Sequence, residues 1–289
     1  MTAATPPPSV SPGTRVAVRV ALVVVASLTL LATVGTLAVG AVGIGTARVL
    51  TDSQPLPAAM RSLVIDGGDT GVRIQIHTDE KAREPRVELT ALSFRGADRR
   101  LQVTTEGDRV RLQAAGDDRG DGFGGGWPGW GPAELDVTLP PATARRLAVD
   151  TTQRNGMLRV DGALDALTAR LDNGAVVLRG SATRVDVAVR NGSVRTRADY
   201  AVQQSFTATA GNGDVEARFA ADGPDTVDAG SRNGDVALQL SGPGPFLVRT
   251  QARNGDTEVT VPETSDPARA ATTVDAHTEN GDVTVTGSR

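Results

Sequence analysis

Seven Asn-Gly dipeptides, at Asn155, Asn173, Asn191, Asn212, Asn233, Asn254 and Asn280, fall at the same place in a repeated pattern of apolar positions. Self-similarity at a short period describes a unit too small to bury its own apolar face, so the units must stack and the period sets the fold. Successive spacings are 18, 18, 21, 21, 21 and 26 residues, which gives regular turns and an insertion in the last. Three positions after each Asn stand Leu158, Val176, Val194, Val215, Val236, Thr257 and Val283, and five after stand Val160, Leu178, Thr196, Ala217, Leu238, Val259 and Val285. Period two is the signature of a strand. Six before come Val149, Leu167, Val185, Phe206, Val227, Val248 and Val274, and four before Thr151, Ala169, Val187, Ala208, Ala229, Thr250 and Ala276. A second strand therefore enters each turn.

Asn-Gly suits a corner that needs positive φ, since Asn tolerates the left-handed region and Gly enters it freely. It is also the strongest type I′ hairpin signal, so a sandwich of hairpins stays open beside a coil. Common registration of all seven units favours the coil, in which like residues lie over one another at about 4.8 Å and Asn side chains can exchange amide bonds along the axis. The pattern predicts an all-β, single-stranded β-solenoid of 18 to 21 residues per coil, preceded by one transmembrane helix.

Only eight of 289 residues are aromatic, and 33 are Gly and 16 Pro, which fits a thin Val/Leu/Ala core. The formal charge of -4 is spread along the chain, with no basic stripe for nucleic acid. Lys81 is the one lysine, an Arg bias that fits a GC-rich genome. Cysteine is absent, which is compatible with bacterial export and excludes a lipoprotein anchor.

Val20 to Gly45 carries no charge and is rich in Val, Leu and Ala. About 20 apolar residues span a bilayer, whereas a cleavable signal has about 7 to 15. Arg15 and Arg19 before it and Arg48 beyond it place the amino terminus inside. The expected organisation is a Pro-rich cytoplasmic tail over 1–14, a signal-anchor in the bacterial cytoplasmic membrane over 15–48, a linker over 49–60 and an extracytoplasmic β-solenoid over 61–289. Strands are expected at Leu63 to Asp66, Val72 to His77, Arg86 to Leu92, Arg100 to Thr105 and Val110 to Ala114, as worn first coils or a cap. Residues 116–132 form a Gly-rich flexible loop whose Phe123, Trp127 and Trp130 either cover the end of the stack or meet a sugar or a membrane interface.

The amphipathic run Glu134 to Pro140, the strand Leu147-Ala148-Val149 and the corners Asn212-Gly213-Asp214-Val215, Asn233-Gly234-Asp235-Val236 and Asn280-Gly281-Asp282-Val283 resemble the bacterial adhesin-like domain of unknown function called the toastrack domain. The resemblance covers Arg61 to Ser288. It implies an exported or membrane-tethered β-solenoid that serves as an assembly platform, often beside envelope-stress systems, and supplies no catalytic residue. Met157, Ala175 and Ser193 stand where its corner Asp is expected.

Asp214, Asp235, Asp256 and Asp282 form a column two residues after the Asn, with Arg154, Arg190, Arg232 and Arg253 one before it. Corner Asp residues commonly accept bonds from nearby backbone N–H groups. A calcium site is the alternative, although the nonapeptide spacing of calcium-binding repeats is missing. With no Cys and only His77 and His277, there is little material for a nucleophile and base or for zinc. The Asp and Arg columns leave a glycan-cleaving enzyme as a remote alternative. The sequence thus reads as a non-catalytic scaffold for an envelope protein or surface glycan. An envelope-stress signalling accessory is the other reading, and end-to-end self-association through an uncovered last segment is expected.

Overall fold

The computed structural model describes residues 47–68, 71–94, 99–116 and 130–287. Val49–Arg289 forms a compact unit, and its described residues are all-β apart from one helical turn, α1 (Pro141–Ala144). The expected membrane span, residues 15–48, lies outside the described residues except for Ala47 and Arg48. Among the described residues no helix is long and apolar enough to cross a membrane.

Each turn of the array contributes two strands that meet at the Asn-Gly corner, and each strand pairs in parallel with its counterpart in the neighbouring turn. In the entering ladder, β2 (Ser62–Asp66) sets Leu63 beside Val149 of β8 (Ala148–Thr196), a continuous 49-residue strand that bends through several corners. The ladder continues with Val185 of β8 beside Phe206 of β9 (Ala201–Asn212), and Phe206 beside Val227 of β11 (Thr226–Asn233). In the leaving ladder, β3 (Val72–Thr78) pairs with β8, Val194 with Val215 of β10 (Val215–Arg218), and Val215 with Val236 of β12 (Val236–Leu240). The apolar columns point inward: Val149, Leu167, Val185, Phe206 and Val227 are buried, as are Leu158, Val176, Val194, Val215 and Val236. Each such side chain contributes about 1.5 to 3 kcal/mol on full burial.

The last two turns are not stacked in chain order. β11 pairs not with β13 (Phe246–Asn254) but with β15 (Thr272–Asn280), and β15 pairs with β13 on its far side. Likewise β16 (Val283–Gly287) lies between β12 and β14 (Thr257–Thr260). The chain leaves an empty place after the fifth coil, lays down coil 246–260 beyond it, and returns through 261–271 to fill the gap. This corrects the expectation that the carboxy-terminal segment is uncovered, because β16 has a partner on each side and coil 246–260 is the outer one. The physical reason lies in that coil's residues. Thr257 is exposed and Thr250 is half-buried, where the neighbouring interior coils bury Val or Ala.

The other end is closed by antiparallel pairing. β4 (Arg86–Phe94) runs against β7 (Trp130–Leu139), and β5 (Arg99–Glu106) against β6 (Arg109–Gly116), which in turn lies parallel to β2. Residues 49–60, expected as a linker, instead supply most of β1 (Ala47–Pro55), which lies beside β4, and bury Leu56 and Met60. Asp52 accepts from the Leu101 N–H at 3.3 Å, and the Gln54 side chain donates to the Leu101 carbonyl at 3.2 Å. Of the expected flexible loop, residues 117–129 lie outside the described residues, whereas Gly116 ends β6 and 130–132 open β7.

Candidate functional site

The corners carry two side-chain ladders. Asn173 donates its amide to Asn155 at 3.0 Å, Asn191 to Asn173 at 2.9 Å, Asn212 to Asn191 at 2.6 Å and Asn233 to Asn212 at 2.7 Å. Asn280 then donates to Asn233 at 2.7 Å and Asn254 to Asn280 at 2.8 Å, in the spatial order rather than the chain order. Positive φ falls on the following glycines and not on these Asn residues, which leaves the amides in register for one another. Replacing Asn212 by Ala removes two of these bonds and is expected to cost about 1 to 3 kcal/mol at 0.5 to 1.5 for each. Asn254→Ala at the outer coil breaks one such bond and should cost less. Denaturant unfolding of both variants measures the difference.

The Asp column runs beside the Asn column. Asp214 accepts from the Asp235 N–H at 3.1 Å, Asp235 from Asp282 at 2.9 Å and Asp282 from Asp256 at 2.9 Å. Arg195 approaches Asp214 at 3.9 Å. Three of the four carboxylates thus each engage one oxygen on the next coil's backbone. Of the Arg column, Arg154 and Arg190 reach Asp172 from opposite sides, at 4.0 and 3.1 Å. Arg232 and Arg253 make no ion pair within 4.0 Å among the described residues.

Arg154, Arg170 and Arg190, with Asp66 and Asp172, line an open depression of about 600 Å³ on successive coils. Its floor includes Gln153, 2% exposed, whose amide donates to the carbonyls of Val72 and of Asn155. Phe123 and Trp127 lie outside the described residues. Trp130 begins β7 with its backbone opposite Ser93.

Each of the two histidines, His77 and His277, lies in a cluster with carboxylates. His77 Nδ1 lies 3.1 Å from Asp136, and its Nε2 is 3.3 Å from the Thr138 hydroxyl. Burial raises the Asp136 carboxyl above its ordinary value, His77 opposes that, and Glu134 and Glu88 add to it. A raised carboxyl pKa stabilises the fold while the group is protonated, so this contribution is lost as pH rises from about 3.8 through the folded pKa. Asp136→Asn should therefore flatten the thermal-unfolding profile across that window and raise the midpoint at pH 7. An Asp-His-Thr chain invites comparison with a nucleophile and base, but the Asp136 and Thr138 positions lie within β7, which is paired with β3 on one side and β4 on the other. Backbone N–H groups held in a ladder are not free to stabilise an oxyanion. The second cluster, Asp228, Asp275 and His277, brings donor atoms from two coils within 4.8 Å of one another. No sequence spacing announces it, because it depends on the inserted coil.

No curated protein sequence matches the chain. Two solved structures, each described as a putative adhesin, are similar to it. That from Parabacteroides distasonis is 9% identical, with a TM-score of 0.43 over 82% of this chain and 97% of its own. That from Parabacteroides merdae is 12% identical, with a TM-score of 0.41 over 84% and 97%. The family model Toastrack DUF4097 matches residues 133–286, from β7 through the whole coil array to β16. More than half of the chain lies within that match, and the protein belongs to the toastrack family.

Proposed function

We propose that the protein is a non-catalytic binding scaffold held at the bacterial envelope, with residues 15–48 anchoring it in the cytoplasmic membrane and the β unit outside. The observation that carries this reading is the arginine-lined depression at Arg154, Arg170 and Arg190, built on strands whose backbone pairing on both sides fixes the side-chain spacing. A surface held in that way loses little conformational freedom on binding. Guanidinium groups present planar donors suited to the carboxylates and hydroxyls of an acidic surface glycan or to an acidic envelope protein. The apolar run Val20 to Gly45 and its flanking arginines support the anchor and its orientation. End-to-end self-association belongs to the same proposal, through β13 and β14 of the outer coil, and sedimentation across concentrations tests it.

The full-length protein in detergent, offered envelope proteins and cell-wall glycan fractions with calcium and again with chelator, should retain a specific ligand in both conditions. Arg170→Ala together with Arg190→Ala should reduce that retention. Failure to retain anything, or retention indifferent to both arginines, would overturn the assignment. Retention in calcium alone would move the ligand to the Asp column.

A further inference from the structure

We propose that Asp228, Asp275 and His277 bind a divalent transition-metal ion across the junction between the fifth coil and the inserted last coil. The donor atoms of the three side chains lie within 4.8 Å of one another, and His277 Nδ1 is 3.8 Å from Asp275. Tetrahedral zinc holds nitrogen and oxygen ligands at about 2.0 to 2.2 Å, which sets its ligand atoms about 3.3 to 3.6 Å apart. All three side chains are exposed, so closing the remaining distance, about 1 Å against that tetrahedron, takes only rotamer adjustment.

Two independent features of the fold point to a cation here. The first is charge. Asp228 and Asp275 are direct register partners on adjacent parallel strands, and Arg249 is the partner of Asp275 on its other side. Had the coils stacked in chain order, Arg249 would lie beside Asp228 and neutralise it. The insertion instead sets carboxylate against carboxylate, an arrangement that costs stability unless a positive charge intervenes. Three aspartates on earlier coils do have arginine partners: Asp165 has Arg184, Asp172 has Arg190 and Asp186, in the same row as Asp228, has Arg170. Among the described residues neither Asp228 nor Asp275 has an arginine within 4.0 Å, and His277 is the one basic group that reaches Asp275.

The second feature is a cradle. His277 is the register partner of Gly230, in a row where the neighbouring coils carry Ala188, Thr209 and Gln251. A Cβ on Gly230 would fall 2.3 Å from His277 Nε2. The imidazole thus lies across the fifth coil, on the strand that carries Asp228, in space that no other residue type would leave open. One imidazole with two carboxylates suits zinc, nickel, cobalt or copper, whereas calcium takes six to eight oxygens. The site is separate from the corner aspartates, of which Asp214, Asp235 and Asp282 already accept from backbone N–H groups.

The test uses the full-length protein stripped with chelator and titrated with Zn²⁺ alone in a calorimeter. One equivalent should bind, and His277→Ala and Asp228→Asn should each weaken binding at least tenfold. Gly230→Ala retains all three ligands but displaces the ring, so it should also weaken binding. His77→Ala should leave it unchanged, and excess Ca²⁺ should not displace the zinc. With only two histidines in the chain, imidazole NMR resonances of the wild-type protein provide a reading that needs no variant, since zinc should shift those of His277 and spare those of His77. No binding, binding unaffected by His277→Ala, or a shift confined to His77 would each overturn the proposal.

Discussion

A chain ended after Ala271 is expected to be less stable than a shorter chain ended after Leu240. The reason is the order of the coils. Among the described residues β13 and β14 form their ladders with β15 and β16, and β13 has besides a single bridge from Phe246 to Glu263, so removing the inserted coil also strands the coil beyond it. Val227, Ala229, Val236 and Leu238, buried in the intact protein, lose their cover, while residues 241–271 remain attached without a ladder. At about 1.5 to 3 kcal/mol for each large apolar side chain, the inserted coil accounts for roughly 5 to 10 kcal/mol, comparable with the whole stability of an ordinary domain. The chain ended after Leu240 forfeits the same contacts but carries no stranded segment. Thermal unfolding and limited proteolysis compare the two, and rapid cleavage within 241–271 is expected only in the longer one. Equal resistance would mean that coil 246–260 moves into the vacated place, with Asn254 on Asn233.

The second large effect is expected from a single methyl group. In Gly192→Ala the new Cβ would fall 1.6 Å from the Gly174 carbonyl oxygen, at a φ of +144° that side chains with a Cβ avoid. Neither neighbour can retreat, because the coil is in ladder register with the next one through Asn191 and Asn212. Overpacking of a closed interior costs about 1 to 3 kcal/mol, and a strained backbone region about as much again. Loss of about 2 to 6 kcal/mol is therefore expected in denaturant unfolding. Gly107→Ala is the comparison. Its φ of +64° is also left-handed, but nothing lies within 4 Å of its Cβ, so only the backbone contribution of roughly 1 kcal/mol should be seen.

The stack was legible because its evidence is repetitive. The columns headed by Val149 and Leu158 each report the same inward face many times, and any one exception leaves the pattern intact. The order of the last two coils is not repeated information, and it was hidden in single residues. Thr257 breaks the Val column of its row, in the sixth unit rather than the seventh. A polar row belongs where a stack meets solvent, so Thr257 marked the sixth unit as the spatial end. The insertion before Thr272 supplied the length for the return. Asp228 and Asp275 could not be paired from sequence for the same reason, since their adjacency follows from that crossing. The role of residues 49–60 was missed because Pro55 and Pro57 mask a strand whose partners come from much later in the chain.

Because β16 lies between β12 and β14, the array cannot be lengthened by a unit that follows β16 in the chain and stacks directly on it. A duplicated repeat appended there would emerge from an occupied interior position with no free edge to follow. Growth has to occur by duplication within the chain, ahead of Phe246, where a new 21-residue unit can enter the continuous part of the stack and push the closing pair outward together. The outer coil and the inserted coil therefore form one interlocked closing pair that any lengthening of the stack must carry outward together.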